Sequence, residues 1–226
     1  MGRKQYPTAA PLPAGILRLS HNASDSTNRC TENRTKGQDN DAFCRESRRM
    51  SVVPVRLTIR AAGDGDVAAI TAIYNHLVRH STAVWDDVEV DEADRTQWVA
   101  ARHGDGFPVL VAIDADGALV GYASYGVWRA RSGYRHTVEH SVHVREDRRG
   151  AGIGAALLQA LIDHARAQGL HAMVGGIEAG NLPSIALHRK LGFASVGHLP
   201  EVGTKFGRWL DLVFMQITLG EHAAPD

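Results

Sequence analysis

The stretch "HSVHVREDRRGAGIGAALLQALIDHA", residues 140 to 165, constrains the fold of this chain more than any other. It alternates apolar and polar residues, breaks into a basic turn with Gly150, Gly152 and Gly154 at every second position, and continues with helical periodicity. Glycine admits positive φ and lets a ligand approach the backbone closely. The first turn of a helix leaves amide N–H groups unpaired and carries partial positive charge. A strand feeding such a turn into a helix is an anion cradle, and Arg148 and Arg149 beside it suit a pyrophosphate better than a lone carboxylate. The same glycines also suffice for a tight corner between strand and helix. A Rossmann fingerprint is disfavoured because Leu157 stands where a further glycine belongs, and a Walker loop because Gly-Lys-Ser or Gly-Lys-Thr is absent.

Around this unit the pattern is mixed. "VRLTI" (55 to 59) reads as a strand, and "GDGDVAAITAIYNHLVRH" as an amphipathic helix with Ile70, Ile73, Tyr74 and Leu77 on one face and Asp64 or Asp66 at its start. A second helix is expected over 91 to 103, then a strand over 107 to 113 joined by Asp114-Ala-Asp-Gly117 to "ALVGYASYGVW" as an antiparallel neighbour. The strand "TVEHSVHV" (137 to 144), the glycine turn and a helix to about Gln168 follow. After them come a strand over 171 to 178, a helix near 182 to 191 ending at Gly192, and two closing strands. One crossover unit within an antiparallel meander predicts an α/β sheet with helices on both faces.

With 226 residues, 44% of them hydrophobic, the chain suits one domain with a sizeable core rather than two. Lys plus Arg equals Asp plus Glu at 25 each, so no excess positive charge is available to displace counterions, and nucleic acid is not expected as a partner. Residues 1–50 are polar and lack sustained periodicity, which predicts a disordered or loosely packed extension, with the domain over 51–220 and a tail over 221–226. Met50 and Met1 are rival starts. Cys30 and Cys44, the two cysteines, give neither a metal spacing nor a disulfide framework. No apolar run approaches the roughly 18 residues of a membrane span, and the N-terminus lacks a signal peptide's apolar centre. The expectation is a cytoplasmic protein in a reducing setting, without membrane or metal.

"VHVREDRRGAGIGAALLQALIDHARAQGL" resembles the acetyl-CoA-binding motif of the GNAT acetyltransferase superfamily, an Arg/Gln-x-x-Gly-x-Gly/Ala turn after a splayed strand. "IEAGNLPSIALHRKLGFASVG" resembles its next motif, an Asn, a small-residue helix and Leu-Gly-Phe. Within the superfamily, "GYASYGVWRARSGYRHTVEHSVHV" and "VGTKFGRWLDLVFMQ" are similar to the phosphinothricin and methionine sulfoximine N-acetyltransferase group, over about residues 56 to 219. The resemblance implies the GNAT fold, a mixed, mostly antiparallel sheet with helices on both faces. It also implies acetyl-CoA as co-substrate, direct attack by a small amino-acid-like amine, and a homodimer. Rival readings are acetylation of protein or peptide amino termini, acetylation of polyamines, whose site would want clustered acids where "WRARSGYRH" is basic, and a CoA-binding module without catalysis.

The resemblance also implies roles. Glu139 stands where related enzymes keep a proposed general base. A carboxylate near its usual pKa of about 4 is a weak base for an ammonium near 10, so it would act through an ordered water or with a pKa raised by burial. Backbone N–H groups at Val142 and Val144, flanking His143, would face the thioester. The turn Arg149, Gly150, Ala151, Gly152, Ile153, Gly154 and Ala155 would hold the pyrophosphate, with Asn181 at the pantetheine amide and Lys190 at the CoA phosphates. His188 takes the position where many members protonate the thiolate with a tyrosine. On the acceptor side, Trp128, Arg129, Ala130, Arg131 and Tyr134 form a basic, aromatic loop whose guanidinium forks match a carboxylate or a tetrahedral tail group. Glu139, His140 and Ser141 follow on the strand, Trp85 in "TAVWDD" bounds the pocket, and "KFGRW" (205 to 209) offers a second basic stretch.

Overall fold

Ile70, Ile73 and Leu77 recur at helical spacing and all are buried, so the segment from Val67 winds as a helix and lays that face on a sheet. In the computed structural model, which describes residues 57–220, the elements are β1 (Thr58–Ala61), α1 (Val67–His80), α2 (Glu92–Gly104), β2 (Val109–Ile113), β3 (Leu119–Val127), β4 (Thr137–Val144), α3 (Ile153–Ala167), β5 (Ala172–Glu178), α4 (Leu182–Lys190), β6 (Ala194–Lys205) and β7 (Arg208–Thr218). The expected N-terminal extension, both cysteines and the expected tail lie outside the described residues.

The strands form one sheet in the order β1-β2-β3-β4-β5-β7-β6. β4 and β5 pair in parallel across the α3 crossover, and every other neighbouring pair is antiparallel. Helices cover both faces, as expected. Leu158, Leu161, Ile162 and Ala165 of α3 are buried with Leu110, Ala112 and Met173 on one face. Ile70, Ile73 and Leu77 of α1 and Val99 of α2 are buried with Val109, Val111 and Tyr122 on the other. Sandwiching between two helical layers explains why β2 and most of β3 are apolar at every position rather than alternating. Each such side chain contributes about 1.5–3 kcal/mol when withdrawn from water.

Three local expectations are revised. Asp66 precedes α1 without capping it through its side chain. Its carboxylate instead takes two hydrogen bonds from Arg60, at 2.6 and 2.8 Å, and one from the Gly63 N–H at 2.8 Å. β2 begins at Val109 rather than 107 because the Phe107 N–H donates to the Arg102 carbonyl and completes the end of α2. The last hairpin is longer than its apolar run, since β6 continues to Lys205 through register shifts that a period-two reading does not carry.

Candidate active site

β4 and β5 run side by side only at Thr137↔Ala172, Val138↔Met173 and Glu139↔Val174, and then part. The cause lies at the next position. A Cβ on Gly175 would come 2.7 Å from His140 Nε2 and 3.3 Å from His188 Nε2, so two imidazoles fill the space where a side chain on β5 would lie. Backbone direction along β4 follows from four hydrogen bonds. The Thr137 carbonyl accepts from Trp128 and the Arg145 N–H donates to Val120, so odd-numbered residues face β3. The His136 carbonyl accepts from His171 and Ala172, so even-numbered residues face β5. Beyond the parting, Val142 and Val144 therefore aim N–H and C=O into the opening. His143, between them, pairs with Tyr122 of β3 and rests its ring on that tyrosine at 5.0 Å. Burial and Arg95 depress its pKa to about 4. Its ring therefore lies beside Tyr122, on the face covered by α1 and α2.

The mouth of the opening is the glycine turn. Gly150 and Gly152 sit at φ +78° and +80°, the left-handed region, and Gly152 is the N-cap of α3 with no side chain capping it. The Gly152 carbonyl accepts from Ala156, which leaves the N–H groups of Ile153, Gly154 and Ala155 without intrahelical partners. A Cβ at Gly154 would make only ordinary contact with Leu187 of α4, at 3.4 Å. The flanking arginines contribute less than their number suggests. Arg148 reaches Asp114 at 3.3 Å and Arg149 lies 3.9 Å from Glu146, while Arg145 is paired with Asp147. The cradle is mainly backbone amide and helix terminus.

On the α1/α2 face, beside the last paired rung, lies a cavity of about 250 Å³ lined by Glu139, Arg129, Trp85, Trp128, Thr82, Ala83, Gly176, Glu178, Leu212 and Phe214. Glu139 is half-buried, and desolvation lifts its carboxyl above the ordinary carboxylate range while Arg129 and Arg102 pull it back. Arg129 is exposed and lies 4.4 Å over the Trp128 ring. Trp85 donates its indole N–H to the Thr82 carbonyl at 2.8 Å and lays its ring over Gly203, where any Cβ would overlap it. Ala130 and Arg131 are exposed and do not line the cavity, and neither does Ser141.

"KFGRW" departs further from expectation. Lys205 is buried beneath the loop after α1 and donates to the carbonyls of Leu77, at 3.4 Å, and Val84. Phe206, Arg208 and Trp209 border a separate cavity. Thr82, Glu178, Leu212 and Phe214 were not anticipated. Period two on β5 puts Glu178 on the same face as Gly176, but the register that brings β5 and β7 to Glu139 has no local signal.

His140 and His188 lie on the opposite face of the sheet from this cavity, 8% and 3% exposed, their Nε2 atoms 3.2 Å apart and their planes 21° from parallel. His140 therefore does not offer its side chain to that cavity. Chemistry assigns the protons. His188 Nδ1 is 2.7 Å from the Ser184 carbonyl, which only accepts, so the His188 proton is on Nδ1 and its Nε2 accepts from His140. His140 Nδ1 is left a buried acceptor without a partner among the described residues. Burial lowers both pKa values, that of His140 to about 3. Asn181 caps α4 through its side-chain oxygen, 3.2 Å from the Ser184 N–H, which leaves its amide N–H₂ available. Lys190 is exposed in the last turn of α4.

A parallel pair that parts over a glycine-turned helix N-terminus, with a carboxylate at the last rung, defines a class. Residues 70–193 match the acetyltransferase (GNAT) family, and the chain belongs to it. It is an acetyl-CoA-dependent N-acetyltransferase. An L-methionine sulfoximine/L-methionine sulfone acetyltransferase of Pseudomonas paraeruginosa is 59% identical over 162 residues, 72% of this chain and 94% of that one. A phosphinothricin N-acetyltransferase of Alcaligenes faecalis is 43% identical over 75% of this chain and 87% of its own length. A Salmonella typhimurium protein solved with its cofactor acetyl-CoA is 54% identical and superposes with a TM-score of 0.73, covering 75% of this chain and 98% of that one.

Proposed function

We propose that the enzyme acetylates the α-amine of small amino-acid-like acceptors of the methionine sulfoximine, methionine sulfone and phosphinothricin type, by direct attack on acetyl-CoA. The observation that carries this is the placement of Glu139, half-buried at the last β4–β5 rung and open to a cavity lined by three aromatic rings and by Arg129, which is in no ion pair among the described residues. Glu139 takes the proton of the acceptor ammonium, directly or through one water, and its burial narrows the pKa gap to that ammonium. The Arg129 fork holds the carboxylate, while Trp85, Trp128 and Phe214 wall the side chain.

The residues present fit acetyl-CoA, which supplies the activated acetyl group when bound. The free N–H groups of Ile153, Gly154 and Ala155 suit the pyrophosphate, and the open N–H groups of Val142 and Val144 suit a carbonyl oxygen. The Asn181 amide suits the pantetheine arm, and Lys190 the outer phosphates. His188 remains the candidate acid for the departing thiolate. Its neutral form keeps the proton on Nδ1 against Ser184, so that role requires a second proton on Nε2.

Glu178, the second carboxylate in the cavity, is the observation that favours a polyamine. Its oxygens, however, already accept from Thr82 at 3.1 Å and from the Gly180 N–H at 2.8 Å. Release of free thiol from acetyl-CoA across free amino acid analogues, spermidine and peptide amino termini tests the reading. The highest kcat/KM is expected with the amino acid analogues. Preference for spermidine overturns the acceptor assignment, and no thiol release with any amine overturns acetyl transfer.

The chain is further proposed to work as a cytoplasmic homodimer. Val196, Val202, Phe206 and Trp209 are 57%, 49%, 54% and 67% exposed on the hairpin that ends the sheet, apolar surface suited to a second copy.

A further inference from the structure

Gly126 has no side chain, and its place is taken by another element. A Cβ at Gly126 would lie 1.4 Å from a terminal nitrogen of Arg102 and 2.5 Å from its Cζ. Arg102 comes from the last turn of α2, so its guanidinium reaches β3 with one terminal nitrogen foremost. In the β3–β4 register Gly126 is the direct partner of Glu139. Directly opposed residues project to the same face with Cβ atoms about 4.5–5.5 Å apart, so the guanidinium occupies the cross-strand slot of Glu139. Arg102 is half-buried, lies 5.7 Å over the Trp98 ring, and belongs to none of the ion pairs among the described residues. Desolvation lowers its pKa, with Asp105 and Glu139 opposing.

We propose that Arg102 is a positioning residue for Glu139, a cation seated in the side-chain space of Gly126 that keeps the carboxylate ionised when the acceptor ammonium arrives. The inference rests on Glu139 being the base. Its logic is a division of labour between two arginines. Arg129 lines the cavity and is committed to the acceptor's carboxylate once that is bound, which spends its charge on the ligand. Arg102 does not line the cavity and stays beside Glu139 throughout. The other groups facing Glu139 leave it this task. Glu178 on β5 is of like charge, Thr82, Trp85 and Trp128 are neutral, and Leu212 and Phe214 on β7 are apolar. With Arg102 gone, burial would drive Glu139 toward its protonated form, which accepts no proton.

The test is the pH profile of kcat/KM for a methionine sulfone acceptor at saturating acetyl-CoA, in the full chain and in Arg102→Gln, Arg102→Lys, Gly126→Ala and Glu139→Gln. Arg102→Gln should move the acid limb upward by about one pH unit. Arg102→Lys should return most of that shift, because charge is restored without the guanidinium fork. Gly126→Ala should reproduce the upward shift by displacing the guanidinium while leaving Arg102 in the sequence. The two routes approach the same slot from different elements, α2 and β3, so either one decides the matter if the other fails to fold. A limb that stays in place in the folded variant or variants, yet disappears in Glu139→Gln, overturns the role of Arg102 and leaves the base standing. A limb that survives in Glu139→Gln overturns the base, and the inference with it.

Discussion

Glu139 and His140 are adjacent in sequence and face opposite sides of the sheet, and their titrations act on stability in opposite senses. Burial raises the pKa of Glu139 in the folded state. The stability this contributes is therefore fully present below the unfolded carboxylate pKa and lost as pH rises through the folded value. Glu139→Gln should be more stable than the parent at neutral pH, a difference that closes as pH falls, read from urea midpoints. The same variant should lose about 10²–10⁴-fold in kcat/KM while its acetyl-CoA dissociation constant stays near that of the parent. His140 is depressed to about 3 by burial, with His188 and His143 adding repulsion. Its contribution is present above the unfolded histidine pKa of about 6.5 and lost as pH falls toward the folded value. His140→Leu should therefore flatten the decline of the urea midpoint across that window.

At the scale of elements, a single backbone conformation joins β4 to α3. Gly152 caps the helix at φ +80°, and an alanine there costs about 1–2 kcal/mol of strain. Gly152→Ala should raise the acetyl-CoA dissociation constant severalfold by turning the first-turn N–H groups, with kcat at saturation much less affected, as steady-state kinetics would report. The loop after α1 is held differently, by Lys205 from beneath and by Trp85 against Gly203. Lys205→Met leaves two buried carbonyls without that donor, at a cost of about 1–3 kcal/mol. It should raise the acceptor KM more than the acetyl-CoA KM, because Thr82, Ala83 and Trp85 wall the cavity proposed for the acceptor and not the glycine turn.

Across the whole molecule, the sheet ends at β6, whose hairpin carries Trp209 and Phe206 outward. In the proposed homodimer, Trp209→Glu should shift the light-scattering mass from dimer to monomer while thermal melting of the protomer changes little, since that side chain is 67% exposed; a parent chain that scatters as a monomer overturns the assembly. Persistence of the dimer places the contact elsewhere.

How far the sequence reaches can be read from particular elements. α3 and its stripe of Leu158, Leu161, Ile162 and Ala165 were legible because helix periodicity and a glycine cap are local properties, each readable within a few turns of chain. So were the crossover to β5 and Asn181 ahead of α4, whereas Glu139 was singled out as a candidate base by the family resemblance alone. The parting of β4 and β5 is different in kind. It needs Gly175 beneath two histidines separated by 48 positions, and no window of sequence contains both. The register that sets Phe214, Glu178 and Arg102 around Glu139 is likewise non-local, as is the burial that hides Lys205 and turns His140 from the acceptor. Sequence alone determined the elements and the chemistry available on them, because backbone preference and hydrophobic period act over a few residues. Tertiary structure alone decided which of those groups share a cavity and which carry charge there, because register, desolvation and the field of neighbouring charges exist only once distant strands have paired.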